Sequence, residues 1–146
     1  MKMWSGRFRE PLNPQFERWQ RSFPFDQQLL AEELAASRAH ALALYAAGVL
    51  SGAERDAILG GLDYIRANGE ELCRQETDAE DVHHFVEKQL TQAIGETGLK
   101  LHTGRSRNEQ IATDLRLFVR RSCRNLTGAL RQLIGLACIV RILPDG

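Results

Sequence analysis

Residues 106–137 read SRNEQIATDLRLFVRRSCRNLTGALRQLIGLA, and this stretch decides the fold. Ser106 and Glu109, three residues apart, form a capping box, in which each side chain satisfies a backbone N–H that the first helical turn leaves without a partner. Behind it Ile111, Leu115, Phe118, Cys123, Leu126, Leu130, Leu133 and Ala137 recur three to five residues apart, with no Gly-Pro break before Pro144. That spacing predicts a helix of about 35 residues, roughly 50 Å long at 1.5 Å per residue. The shorter helices of the same chain cannot cover so long an apolar stripe. Much of it is expected to pack on another copy or on further sequence.

Upstream the pattern is also helical, and no strand alternation competes with it. Asn13-Pro14 reads as an N-cap and first helical residue of a short helix to about Arg21, broken by Pro24. Asp26 is placed as the cap of a helix over about 27–47, with Leu30, Leu34, Ala41 and Tyr45 on its inner face and Gly48 at its end. Ser51 and Glu54 form another capping box, opening a helix that carries Ile58, Leu62 and Ile65 and is expected to stop near Asn68-Gly69. A polar loop over 69–79 follows. Asp78 is placed as the cap of a helix over about 79–94, whose apolar stripe is Val82, Phe85, Val86, Leu90, Ala93 and Ile94. Residues 96–105 read as a loop.

The whole chain has 146 residues, 43% of them hydrophobic and 26% charged, with formal net charge zero. These are ordinary values for a globular domain and argue against disorder. The longest apolar run, Ala41 to Leu50, has ten residues, well short of a membrane span. Charges in the first ten residues stand where an export signal needs its apolar region. Cys73, Cys123 and Cys138 are odd in number and match no zinc spacing, so reduced thiols in a cytoplasmic protein are expected. The neutral total hides an asymmetry. Residues 1–100 hold 11 basic and 16 acidic residues, residues 101–146 hold 8 arginines and 3 acidic residues. Arg116, Arg120, Arg121, Arg124 and Arg131 read as a solvated helix face rather than a nucleic-acid surface, for which the overall charge lacks the basic excess.

Three clusters carry possible chemistry. The richest is Leu101 to Gln110, where a glycine loop enters the longest helix with Arg105, Ser106, Arg107 and Asn108 in succession. A helix N-terminus presents unsatisfied N–H groups and a partial positive charge, and arginine adds paired donors, so the cluster reads as a carboxylate or phosphate site or, equally, as a helix cap by Ser106 and Glu109 with the arginines in solvent. A nucleotide P-loop is excluded, because five residues separate Gly98 from Gly104 and a helix precedes them. The second cluster is Glu80 to Glu87. His83 and Glu87 share a helical face there and read as a polar patch lining a cleft, while a metal site is not expected. The third is Trp4-Ser5-Gly6-Arg7-Phe8, a segment suited to pinning on a surface.

Together these residues resemble the argininosuccinate lyases of the fumarase/aspartase superfamily. The marks are Met3 to Phe8, Phe16 to Asp26 containing Ser22, Glu80-Asp81-Val82-His83, and above all Lys100 to Gln110 with Ala112 to Arg116. Glu109 stands where that family usually has Asp, and residues 135–146 match poorly. The resemblance implies an all-α fold: an N-terminal helical domain over 1–105 that includes the substrate loop, then over 106–146 the first long helix of a central bundle, truncated. It implies β-elimination of argininosuccinate to fumarate and L-arginine in arginine biosynthesis, without cofactor or metal. Ser22, Asp81, His83, Arg105, Ser106, Arg107 and Asn108 match substrate-binding or cleft positions. The family's catalytic serine and histidine correspond to sequence beyond residue 146, so no catalytic residue is placed here and the chain alone is expected to be inactive. The complete enzyme is expected to be a cytoplasmic homotetramer acting on a small molecule, with no nucleic-acid or membrane partner. The alternative is an inactive structural or interaction protein of the same fold.

Overall fold

The computed structural model describes residues 13–142, with side chains through 138. The Met3–Phe8 segment and the end of the tail lie outside the described residues. The elements in chain order are α1 (Pro14–Gln20), α2 (Phe23–Asp26), a 3-10 turn (Gln27–Leu29), α3 (Leu30–Ala46), α4 (Gly52–Gln75), α5 (Val82–Ile94), a 3-10 segment (Gly95–His102) and α6 (Arg107–Ile142). Among the described residues there is no strand, and the fold is all-α as expected.

α3, α4 and α5 pack on one another around Leu34, Ala41, Leu44, Ile58, Leu62, Ile65, Phe85, Val86 and Leu90, and Phe23 from α2 closes the end against Phe85. The Ser51 cap forms as expected: its hydroxyl accepts the Glu54 N–H at 3.3 Å, and Glu54 accepts the Ser51 N–H at 2.8 Å. α6 begins where expected and runs 36 residues. Its first turns pack on α3. From Val119 to Cys138 every side chain is exposed.

Several local expectations are corrected. Asp26 does not cap the helix that follows it: it ends α2, and its carboxylate accepts from the Ser22 hydroxyl at 2.6 Å and, at the start of α5, from the Val82 N–H at 2.9 Å. The first helix does end before Pro24, at Gln20, but Pro24 itself sits in the first turn of the next helix, α2, where its missing N–H costs nothing. α4 runs through Gly69 to Gln75 rather than stopping there. Gly69 is needed for close approach, since a Cβ there would meet Leu30 Cδ2 at 2.8 Å, and Leu72 and Cys73 continue the packed face beyond it. Asp81, not Asp78, caps α5, accepting the His84 N–H at 2.7 Å. Residues 95–102 are 3-10 helix, not loop. Tyr45 lies outside the core and stacks under the Arg55 guanidinium at 4.2 Å, and Ala93 is exposed. Arg121 is not merely solvated: it pairs with the buried Glu32 of α3 at 2.5 Å.

Candidate anion site

The chain turns into α6 through Gly104, whose φ of +72° is the left-handed conformation that glycine adopts without strain. The loop is tied to α3 by His40 Nε2 on the Thr103 carbonyl at 3.0 Å. Glu109 accepts the Ser106 N–H at 2.9 Å, while the Ser106 hydroxyl accepts from Asn108 N–H at 3.3 Å. The capping box therefore forms with its hydroxyl bonded one residue earlier than the standard pattern. The Asn108 side chain is exposed, at the start of the helix.

Two helix N-termini meet at Arg107. Its Nη1 donates to Asp81 Oδ1 at 2.7 Å, the oxygen that also caps α5. The pair is largely shielded, with 15% and 17% of the two side chains exposed. Ser22 is brought alongside by its own N–H and that of Phe23, which donate to the Glu80 carbonyl at 2.9 and 3.1 Å. Its hydroxyl reaches Asp26, whose carboxyl is raised above its ordinary range, first by burial and also by the nearby Asp81 charge. Ser22, Asp81, Ser106, Arg107 and Asn108 thus gather from two helix starts and the α2 cap. Arg107 Nε is buried without an acceptor among the described residues.

His83 and Arg105 point the other way, into the molecule. His83 Nδ1 lies 2.9 Å from Glu33 Oε2 and 3.6 Å from Asp114 Oδ2. Glu33 Oε1 accepts from Ser37 at 2.6 Å and Gln110 at 3.3 Å, with the Arg105 guanidinium at 3.7 Å. Burial alone would raise the Glu33 carboxyl, but the donors from His83 and Ser37 outweigh it and hold it below its ordinary value. Burial also pulls the Arg105 guanidinium down, against the charges of Glu33 and Asp114. Glu87, one turn beyond His83, lines a small cavity with His83, Glu33, His102, Arg105 and Gln110, the cleft-lining position its spacing predicted.

Glu33 and Asp114 escaped the sequence reading. Glu33 follows another acid, Glu32, and Asp114 lies between Thr113 and Leu115, so neither stands out, and the available signal was spacing: Glu33 with Ser37, and Gln110 with Asp114, stand four apart on one helical stripe. Glu33, His83 and Asp114 approach within 4.8 Å of one another. They fit a cation poorly. A guanidinium stands against the Glu33 carboxylate and would repel a cation, and three donors already point their hydrogens at it.

The helix starts bring these polar and charged groups together, and comparison with known proteins gives the family of the chain. A lyase family model matches residues 6–137, nearly the whole chain, so the chain belongs to that lyase family. Within it the similar relatives are argininosuccinate lyases. That of Acidobacterium capsulatum is 62% identical over 127 residues, covering 82% of this chain and 26% of the relative. That of Koribacter versatilis is 61% identical over 120 residues with the same coverage. That of Acinetobacter baumannii is 46% identical over 140 residues, 92% of this chain and 29% of the relative. The chain spans about a quarter of the length of the curated relatives it matches.

Proposed function

We propose that this chain supplies the anion-binding wall of an argininosuccinate lyase, which splits argininosuccinate into fumarate and L-arginine in arginine biosynthesis. The observation that carries the reading is the convergence on Arg107. Its guanidinium is oriented by Asp81 at 2.7 Å and keeps a buried Nε–H that, like that of Arg105, has no acceptor among the described residues, beside Asn108 in the first turn of α6. A carboxylate is the complement of that donor. β-Elimination removes a proton next to a succinyl carboxylate, and negative charge builds on that group as the C–N bond breaks. Donors held in place before the reaction stabilise that charge without reorganising. Asn108 and Ser106 supply neutral donors at the rim, with the Ser22 hydroxyl, bonded to Asp26, beside them, while Arg105 and His83 support the loop from within.

The exposed face of α6, with Leu126, Leu130 and Leu133 between 49% and 62% exposed, supports a further part of the reading. Residues 106–146 act as the first helix of a bundle completed by further copies, a homotetramer, while residues 1–105 form the N-terminal unit. Three free cysteines accord with a cytoplasmic setting. A chimera tests the activity: residues 13–138 replace their counterparts in the Acidobacterium capsulatum argininosuccinate lyase, and fumarate release is followed by ultraviolet absorbance. Activity within tenfold of the parent is expected, and Asn108→Ala in the chimera should lower kcat/KM about 10- to 100-fold, the worth of one hydrogen bond to a charged group. A folded, assembled chimera without activity would overturn the assignment.

A further inference from the structure

Beneath the loop lies a polar cluster that substrate binding does not itself require. Asp114 on α6 is fully buried, and among the described residues neither of its carboxyl oxygens has a hydrogen-bond partner when it is taken as ionised. Its neighbour Glu33 is the opposite case, receiving the Ser37 hydroxyl, His83 Nδ1 and Gln110 Nε2 at 2.6, 2.9 and 3.3 Å. Two carboxylates so placed cannot both stay ionised in a dry interior. The one with donors keeps its charge, and the one without takes a proton. A protonated Asp114 has an acceptor at hand, since carboxyl oxygens of Asp114 and Glu33 lie within 4.8 Å of each other.

We propose that Asp114 is a positioning residue for the anion loop: buried as the neutral acid, it donates its proton to Glu33 and so holds that carboxylate where it grips His83, Gln110 and Arg105. The inference extends the reading of residues 105–108 as a substrate loop, but the proton arrangement stands apart from any substrate. Charged and titratable groups face Asp114 from every side. α3 contributes Glu32 and Glu33, with Arg121 of α6 paired to Glu32. α5 contributes His83, with Glu87 further along the cavity, and the loop contributes Arg105. His102 of the 3-10 segment lines the same cavity. The Arg105 charge favours an ionised Asp114. Its closest carboxylate contact is with Glu33, at 3.7 Å. Burial acts first, the Glu33 charge second, and together they push the Asp114 carboxyl up to about 8.

The sign of the linkage follows. A carboxyl whose folded value lies above its unfolded 3.8 contributes stability that is full below that value and is lost as pH rises toward the folded value. The folded-to-unfolded ratio therefore falls by up to tenfold per pH unit across about pH 5 to 8 on account of this one group. Glu33, held low, is ionised in both states there and adds no slope.

The test is carbon-13 NMR of the side-chain carboxyls in the 146-residue chain, titrated from pH 5 to 9, alongside the amides of residues 104–110 and the His83 ring. Asp114 should show the chemical shift of a neutral acid at pH 6 and titrate near 8, and the loop amides should move with the same midpoint. Asp114→Asn is neutral at every pH and carries an N–H₂ to donate to Glu33. It should abolish that transition and leave the loop signals at their low-pH positions. An ionised Asp114 at pH 6 in the unmodified chain overturns the proposal, whether or not the variant folds. So does a loop transition that survives in Asp114→Asn, which would belong to His83 or His102.

Discussion

Asp81 has two partners, and separating them tests how the site is held. One carboxylate oxygen accepts both the His84 N–H and the Arg107 guanidinium, each at 2.7 Å. Asp81→Asn keeps a side chain that caps helices about as well as aspartate but removes the charge from Arg107. With 15% and 17% exposure this pair is too shielded to be discounted as a surface salt bridge. A hydrogen bond between charged groups contributes roughly 1.5–3 kcal/mol, so the variant should lose about 2 kcal/mol. Asp81→Ala removes the cap as well, a further loss of about 1 kcal/mol. At roughly 4 °C per kcal/mol for a chain of this size, the melting temperature should fall by about 8 °C and about 12 °C. Arg107→Met completes a cycle with Asp81→Asn, and the double variant should lose at least 1 kcal/mol less than the two singles together. Urea denaturation of all four proteins gives the numbers. Additive losses, or an Asp81→Asn variant within 0.5 kcal/mol of the unmodified chain, would show that Arg107 is not anchored by Asp81.

Two further predictions concern the loop and the opposite end of the bundle. Glu109→Ala should cost about 1 kcal/mol or less, through the lost bond to the Ser106 N–H, while Asn108→Ala, whose side chain is exposed, should stay within about 0.5 kcal/mol in the same urea experiment. The Glu54 carboxyl is held down at about 2, chiefly by Lys100 and then by the Ser51 cap, so its stabilising effect is present above the ordinary 4.5 and is lost as pH falls through the folded value. Lys100→Met should bring the Glu54 carboxyl shift back toward 4.5 by NMR titration and move the onset of acid unfolding to higher pH; an unchanged Glu54 midpoint would refute the pairing.

What was legible in the sequence is what is local. The Ser51–Glu54 cap, the start of α6 and its length rest on contacts within a few residues, and the motif carries them complete. Misreadings arise where one residue type serves two purposes. Gly69 reads as a stop signal, yet it permits α4 to approach Leu30, and nothing before it in sequence announces that partner 39 residues away. Asp26 and Asp78 read as caps because aspartate commonly caps helices. In the fold Asp26 instead receives the Val82 N–H from 56 residues away, at the start of a helix that Asp81 caps.

The same distinction explains why the site was half visible. Arg105 to Asn108 are contiguous and announce an anion site by composition. The groups that hold them come from elsewhere in the chain: Glu33 lies 77 residues from Gln110, and Asp81 lies 26 residues from Arg107. A buried acid is unfavourable, and only the partner's donors make it tolerable. Glu33 has those donors and Asp114 has none. The two acids therefore play unequal parts, one as a charged hub and the other as a proton carrier, although neither stands out in the sequence. Had Asp114 been paired as Glu33 is, the interior would hold two unneutralised carboxylates against the single guanidinium of Arg105. A change in the protonation of Asp114 should therefore reach the start of α6 through Glu33, which Gln110 bonds at 3.3 Å and Arg105 faces at 3.7 Å.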